Sequence, residues 1–165
     1  GPFQYHTVNE YTGMMQVNMI TMVQLCQLFL PELQKQSRAY ILNIASTTAY
    51  QAIPYFSIYA AAKIFVINFS RALKMELKQT SVSVTCVSPG STDTDFPLRA
   101  QVKEKVIKMG KKVNMTPEVV AKIAVKSMLA GKTEVITGFI NKLGAFLAWL
   151  APKSVSENAA MRIYK

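Results

Sequence analysis

The chain has 165 residues, and 19 Lys plus Arg against 9 Asp plus Glu leave a formal charge of +10. Half of its residues are hydrophobic and 17% are charged, a balance that excludes intrinsic disorder, collagen-like repeats and a low-complexity tail. The length suits one domain with a substantial core.

Cys26 and Cys86 are too few for a disulfide framework, and two Cys with one His offer no zinc spacing. They read as two reduced, buried thiols of a cytosolic protein, with no metal. Residues Gly1 to Glu10 show neither a basic start nor an apolar run, so no signal peptide is expected there. Leu143 to Ala151 is the longest candidate for membrane insertion, and its nine apolar residues fall short of the roughly 20 that a span needs. Basic residues gather between Arg99 and Lys132, opposed only by Glu104 and Glu118. Few aromatics interleave with them and no nucleic-acid motif is present. A solvated helical face ranks first, attraction to an anionic lipid surface or ligand second, and nucleic acid third.

In chain order, Thr7-Val8-Asn9-Glu10 is a capping box that predicts a helix from about residue 8. The stripe Tyr11, Met14, Met15, Asn18, Met22, Leu25, Cys26, Phe29 carries that helix to about Leu33. Ala39 to Ala45 reads as a buried strand, Ser46 to Phe56 as a loop, and Ser57 to about Gln79 as a largely buried helix. A second strand, Val82 to Val87, stops at Ser88-Pro89-Gly90. A short helix is expected over Leu98 to Met109. Thr116-Pro117-Glu118 starts another that ends at Gly131. Thr133 to Thr137 is a third strand, and helices over Gly138 to Leu150 and Ser154 to Tyr164 close the chain. This order predicts an α/β fold: an incomplete, doubly wound parallel sheet of three strands with their helices, in one domain over 1–165.

Three polar residues break the local pattern. Asn18 sits inside the apolar stripe, Lys63 interrupts Ile58 to Phe69, and Ser46 closes the first strand, at the end where open α/β sheets place ligands. Each alone reads as a satisfied core amide, a snorkelling lysine or a turn serine. Their spacing says more. Tyr59 and Lys63 are four apart on one helix and share a face, while Ser46 precedes Tyr59 by thirteen residues. A phenol beside a partly buried ammonium is expected to have its pKa drawn from about 10 toward neutrality, which makes a general acid/base.

Asn18, Asn43-Ile44-Ala45-Ser46, Tyr59-Ala-Ala-Ala-Lys63 and Pro89-Gly90-Ser91-Thr92-Asp93-Thr94 together resemble the successive signatures of the short-chain dehydrogenases/reductases. The resemblance implies a Rossmann-like fold and an oxidoreductase that uses NAD or NADP to interconvert a carbonyl and a secondary alcohol. It implies that Tyr59 gives or takes the hydroxyl proton, Lys63 tunes it and grips the nicotinamide ribose, and Ser46 orients the substrate oxygen. Asn18 would hold a water linking Lys63 to solvent. Pro89, Gly90, Thr92 and Thr94 would border the nicotinamide. A homodimer or homotetramer in the cytoplasm is implied as well, with a small-molecule carbonyl or alcohol as partner and no nucleic acid.

The family's glycine-rich phosphate turn has no counterpart among the seven glycines. The chain is therefore expected to be a carboxyl-terminal portion whose cofactor selector lies elsewhere, inactive alone. Segments 96–115 and 138–151 fall at the family's substrate-lid positions. Phe96, Met109, Met115, Phe139, Phe146 and Trp149 are candidates to line an apolar pocket there, or simply to fill the lid. Two rival readings stand beside the enzyme: a non-enzymatic pairing module, and a peripheral membrane protein whose Leu143–Leu150 helix lies on anionic lipid.

Overall fold

The computed structural model describes residues 1–95, 104–111 and 114–164. Helix α1, Val8–Gln34, begins on the expected capping box: the Thr7 side chain accepts from the Glu10 amide, and Glu10 Oε2 accepts from the Thr7 amide. It continues unbroken through a wider π turn at Gln16–Ile20. With 27 residues and an 18-residue window of mean hydropathy 1.2, α1 is, among the described residues, the one helix long and apolar enough to cross a membrane by length and composition. The sequence had offered only the shorter Leu143–Ala151 stretch. Here Cys26, Leu30 and Leu33 of α1 rest on the sheet beside Ala39, Ile41 and Val84, as in a sheet-covering helix.

Strand β1 (Ala39–Ile44), helix α2 (Ser57–Glu76), strand β2 (Val82–Ser88), helix α3 (Glu104–Lys111), helix α4 (Pro117–Leu129), strand β3 (Glu134–Ile136), helix α5 (Phe139–Leu150) and helix α6 (Lys153–Tyr164) follow. The sheet order is β1-β2-β3, all parallel, with Ala39 opposite Val82 and Cys86 opposite Glu134. Alternation divides the sheet faces. Ala39, Ile41, Val82 and Val84 turn toward α1 and α2, while Thr85, one step out of phase, donates to the Lys132 carbonyl beyond α4. Helices thus cover both faces, as a doubly wound sheet requires. Among the described residues β1 pairs only with β2, so its other edge has no strand partner.

Element boundaries moved by small amounts for identifiable reasons. The loop after β1 holds a 3-10 turn at Thr47–Tyr50, because Ser46 Oγ accepts from the Thr48 amide and starts it. Helix α2 ends at Glu76 rather than near Gln79, and it is not buried all round: Ala60, Ala62, Val66, Ile67 and Ser70 face inward while Ile64 and Asn68 face out. Of the two free thiols, Cys86 is buried, its pKa pushed up to about 11 mainly by burial; Cys26 is only half-buried. The expected helix start at Leu98, and Phe96, lie outside the described residues.

Candidate active site

Strand β1 delivers Ser46 just past its carboxyl end, and it is pinned there twice. Asn43, buried, donates to Ser70 Oγ at 2.9 Å, and Ser70 in turn donates to the Val66 carbonyl at 2.7 Å. The Thr47 amide donates to the Pro89 carbonyl at 2.9 Å, which ties the loop after β1 to the loop after β2. The chain then enters α2 through Tyr55, whose φ of 67° is left-handed; a non-glycine residue there costs about 1 kcal/mol or more. That turn sets the first coil of α2 so that Tyr59 and Lys63 face back toward the strand ends.

Both side chains are half-buried. Lys63 Nζ lies 5.5 Å from the centre of the Tyr59 ring and donates to the Ile44 carbonyl at 3.1 Å. The shared face expected from their spacing is present; the expected acidity is not. Burial raises the Tyr59 pKa, a side-chain hydrogen bond with Ser46 works against that rise, and burial lowers the Lys63 pKa. The first cause is burial of the phenol itself; the ammonium gives one of its protons to the end of β1 and stands over the ring. Burial thus favours the protonated form of the Tyr59 phenol.

Asn18 lies within the π turn of α1, and its amide donates to the Met14 carbonyl at 2.9 Å. One of its two amide protons is thus held by its own helix. Across the sheet, Thr92 forms a bridge with Met115 and its hydroxyl donates to the Gly90 carbonyl at 3.2 Å. Gly90 is where the chain has no room: a Cβ there would run into the Asn141 side chain, which donates to the Thr137 carbonyl at 2.8 Å.

One cavity of about 1170 Å³ collects all eight residues singled out from the sequence: Asn18, Ser46, Tyr59, Lys63, Pro89, Gly90, Thr92 and Thr94. Sequence reasoning missed several others on its wall. Tyr55 and Phe56 come from the loop, Val106 and Ile107 from α3, and Ile163 and Tyr164 from the end of α6. Phe56 stands edge-on to both Tyr59 and Tyr164, with ring centres 6.4 and 5.2 Å away. Of the two alternatives, lining does not hold for Met115, Phe139, Phe146 and Trp149, which are not on this wall; the last three belong to α5, which turns its large side chains outward. The Met109 side chain lies outside the described residues.

Behind the cavity, the Tyr50 hydroxyl donates to Glu134 Oε1 at 2.6 Å and lies 3.1 Å from Ser88 Oγ; Arg71 Nη1 reaches Glu134 Oε2 at 3.2 Å. Burial, then the Glu134 carboxylate, drives the Tyr50 pKa strongly upward. This tie joins the loop after Ser46 to α2, β2 and β3. No local signal announces it, since Tyr50 and Glu134 are 84 residues apart.

The fit to a nicotinamide cofactor can be judged on the donor set. A phenol, an ammonium and two threonine hydroxyls beside open main chain at the strand ends suit ribose hydroxyls and a carboxamide. Thr48 Oγ1, on the same cavity wall, is buried with no hydrogen-bond partner among the described residues. The nicotinamide-ribose end therefore fits these residues, and the sequence has no glycine-rich turn for the diphosphate.

A parallel sheet with helices on both faces and polar side chains gathered at its carboxyl ends is the layout of a Rossmann-type α/β protein. The short chain dehydrogenase family model matches residues 1–106, and the chain belongs to that oxidoreductase family. It is 32% identical over 104 residues to the 3-ketodihydrosphingosine reductase of Bacteroides thetaiotaomicron, covering 63% of this chain and 39% of that protein. It is 28% identical over 173 residues to the ketoacyl reductase HetN of Nostoc sp., covering 100% of this chain and 57% of that one. The chain thus spans only part of the length of the curated relatives it matches. A solved 7beta-hydroxysteroid dehydrogenase has the same fold with a TM-score of 0.81 at 23% identity, over 97% of this chain and 62% of the other. A short-chain dehydrogenase from Sphingobium yanoikuyae, in complex with NADPH, gives 0.73 at 23% identity, over 84% and 53%.

Proposed function

We propose that this chain forms the proton-transfer and nicotinamide-ribose side of an NAD(P)(H)-dependent oxidoreductase that interconverts a carbonyl and a secondary alcohol. The observation that carries the reading is the convergence of Asn18, Ser46, Tyr59 and Lys63 on one cavity bordered by Pro89 to Thr94. When bound, the cofactor supplies or accepts the hydride. The protein's own residues do the rest. Ser46 holds the substrate oxygen within reach of the phenol, and Tyr59, kept protonated by burial, donates its proton to that oxygen in the reductive direction. Lys63 and Thr92 and Thr94 hold ribose and carboxamide. Asn18 keeps the π turn closed through Met14, so that α1 walls the cavity at this level.

The wall of Tyr55, Phe56, Val106, Ile107, Ile163 and Tyr164 favours an apolar substrate, and α3 and α6 act as the substrate-side elements. Related structures carry NADPH in one case and NAD in another, and the reading takes either dinucleotide. In this reading two copies pair through α1 and α2, whose outer faces expose Val17, Leu28, Phe29 and Ile64; light scattering that returns a monomer mass would remove that element.

The 165 residues alone should show no turnover and bind NADH and NADPH only weakly, since a diphosphate meets no glycine-rich turn. Fluorescence titration with both dinucleotides tests this. Micromolar affinity would overturn the expectation of inactivity. Joined to a glycine-rich cofactor segment, the protein should reduce apolar ketones. Failure of every ketone tested despite tight dinucleotide binding would overturn the reading itself.

A further inference from the structure

We propose that helix α5 is a membrane-surface anchor that lies in the interface of an anionic bilayer. The proposal is independent of the catalytic reading. It rests on the way α5 is turned. Phe139, Ile140, Leu143, Phe146, Leu147, Trp149 and Leu150 are all exposed, Phe139 by 79% and Trp149 by 70%. The side facing the protein carries only Asn141, Ala145 and Ala148, with Asn141 anchored on the Thr137 carbonyl. A helix that packs against its own domain buries its bulky residues and exposes its small and polar ones. This one does the reverse.

The occupant follows from length and charge. Twelve residues make a helix about 18 Å long, too short for a hydrocarbon core of about 30 Å, so it can lie along a bilayer but not cross it. Lys142 sits on the helix and Lys153 just past its end, both exposed. From residue 135 to 165 the sequence has four basic residues, Lys142, Lys153, Arg162 and Lys165, and one acid, Glu157. Of the preceding acids, Glu134 is held by Arg71 and Tyr50, and Glu32 and Glu104 are paired with Lys35 and Lys108. The net charge of +10 over the whole chain adds a general attraction to anionic headgroups. Trp149 near the helix end suits the headgroup level. A second copy of the chain suits the face less well. No carboxylate lies between Glu134 and Glu157, so two such helices paired about a twofold axis would set lysine near lysine with nothing between.

Trp149 is the chain's single tryptophan, so its emission reports this face alone. The full chain is mixed with vesicles of phosphatidylcholine plus phosphatidylglycerol, and with phosphatidylcholine alone, at low and high salt. Expected are co-sedimentation with the anionic vesicles at low salt, a blue shift of Trp149 emission on binding, and much weaker binding to the neutral vesicles. Phe146→Ser and Leu150→Ser, each checked for folding by circular dichroism, should each weaken binding about tenfold or more, as loss of one large apolar contact implies. No co-sedimentation with anionic vesicles at low salt overturns the proposal. So does binding with unshifted emission and no effect of either variant, which would mark plain charge attraction. A blue shift that needs no vesicles and grows with protein concentration overturns it in favour of self-association.

Discussion

The carboxyl ends of β1 and β2 and the outer helix α5 handle apolar and polar groups in opposite ways. At the strand ends, polar side chains are drawn inward and each is held by a partner: Asn43 by Ser70 of α2, Lys63 by the Ile44 carbonyl of β1, Asn18 by the Met14 carbonyl of its own helix. Along α5, large apolar side chains are turned out while an amide and two alanines face the protein. The first region is organised to hold groups at fixed positions and the second to present surface. Only the first should respond sharply to single-atom changes.

The largest effect should come from removing one oxygen at the strand ends. In a form of the protein that turns over, Tyr59→Phe is expected to lower kcat by about 100- to 10,000-fold with dinucleotide affinity nearly unchanged. Stopped assays with titration on the same samples check both, and retained turnover would contradict the role given to Tyr59. Next, Gly90→Ala must displace the Asn141 side chain and should cost about 1–3 kcal/mol. Gly13→Ala, in the middle of α1 with open space around it, should instead stabilise by about 0.5–1 kcal/mol. Urea unfolding of the two variants side by side reads the contrast, and equal shifts would deny any close approach at Gly90.

Smaller again is a test of which helix faces substrate. Ile107→Ala should raise KM about tenfold with kcat kept, whereas Phe139→Ala, outside the cavity, should change neither. The reverse result would put α5 back over the substrate. The smallest expected effect is at the tie behind the cavity. Tyr50→Phe leaves Glu134 Oε1 without that donor and should cost about 1 kcal/mol at neutral pH. The folded state holds the Tyr50 proton more tightly than the unfolded chain does. The stability this gives is present below the ordinary phenol pKa of about 10 and is lost as pH rises beyond it. Unfolding midpoints should therefore fall less steeply above pH ~10 in Tyr50→Phe than in the unaltered chain, and parallel curves would exclude the tie.

What was legible in the sequence had short-range causes. The capping box at Thr7, the Tyr59–Lys63 spacing and the breaker at Pro89-Gly90 are local statements, and the structure places all of them as read. The Tyr59 pKa runs opposite to the reading from spacing, because spacing puts an ammonium on the same face without saying how deeply the phenol is buried, and burial raises it. Orientation of α5 was hidden for a related reason. Apolar residues occupy nearly every position there, so periodicity marks no preferred side, and the choice fell to the close fit of Asn141 against Gly90. The Tyr50–Glu134–Arg71 tie needs three distant segments together. Its members are unremarkable one by one.

The unpaired flank of β1 has a consequence for the isolated chain. From Ala39 to Ile44 one row of main-chain amides and carbonyls has no strand beside it among the described residues, and Ile44 at its end is 47% exposed. Such a margin is a rail on which an extended segment of another molecule can dock, amide to carbonyl. Warming the purified protein at rising concentration should thus produce scattering and thioflavin-positive material. A lysine in place of Leu42 should slow it without altering the cavity.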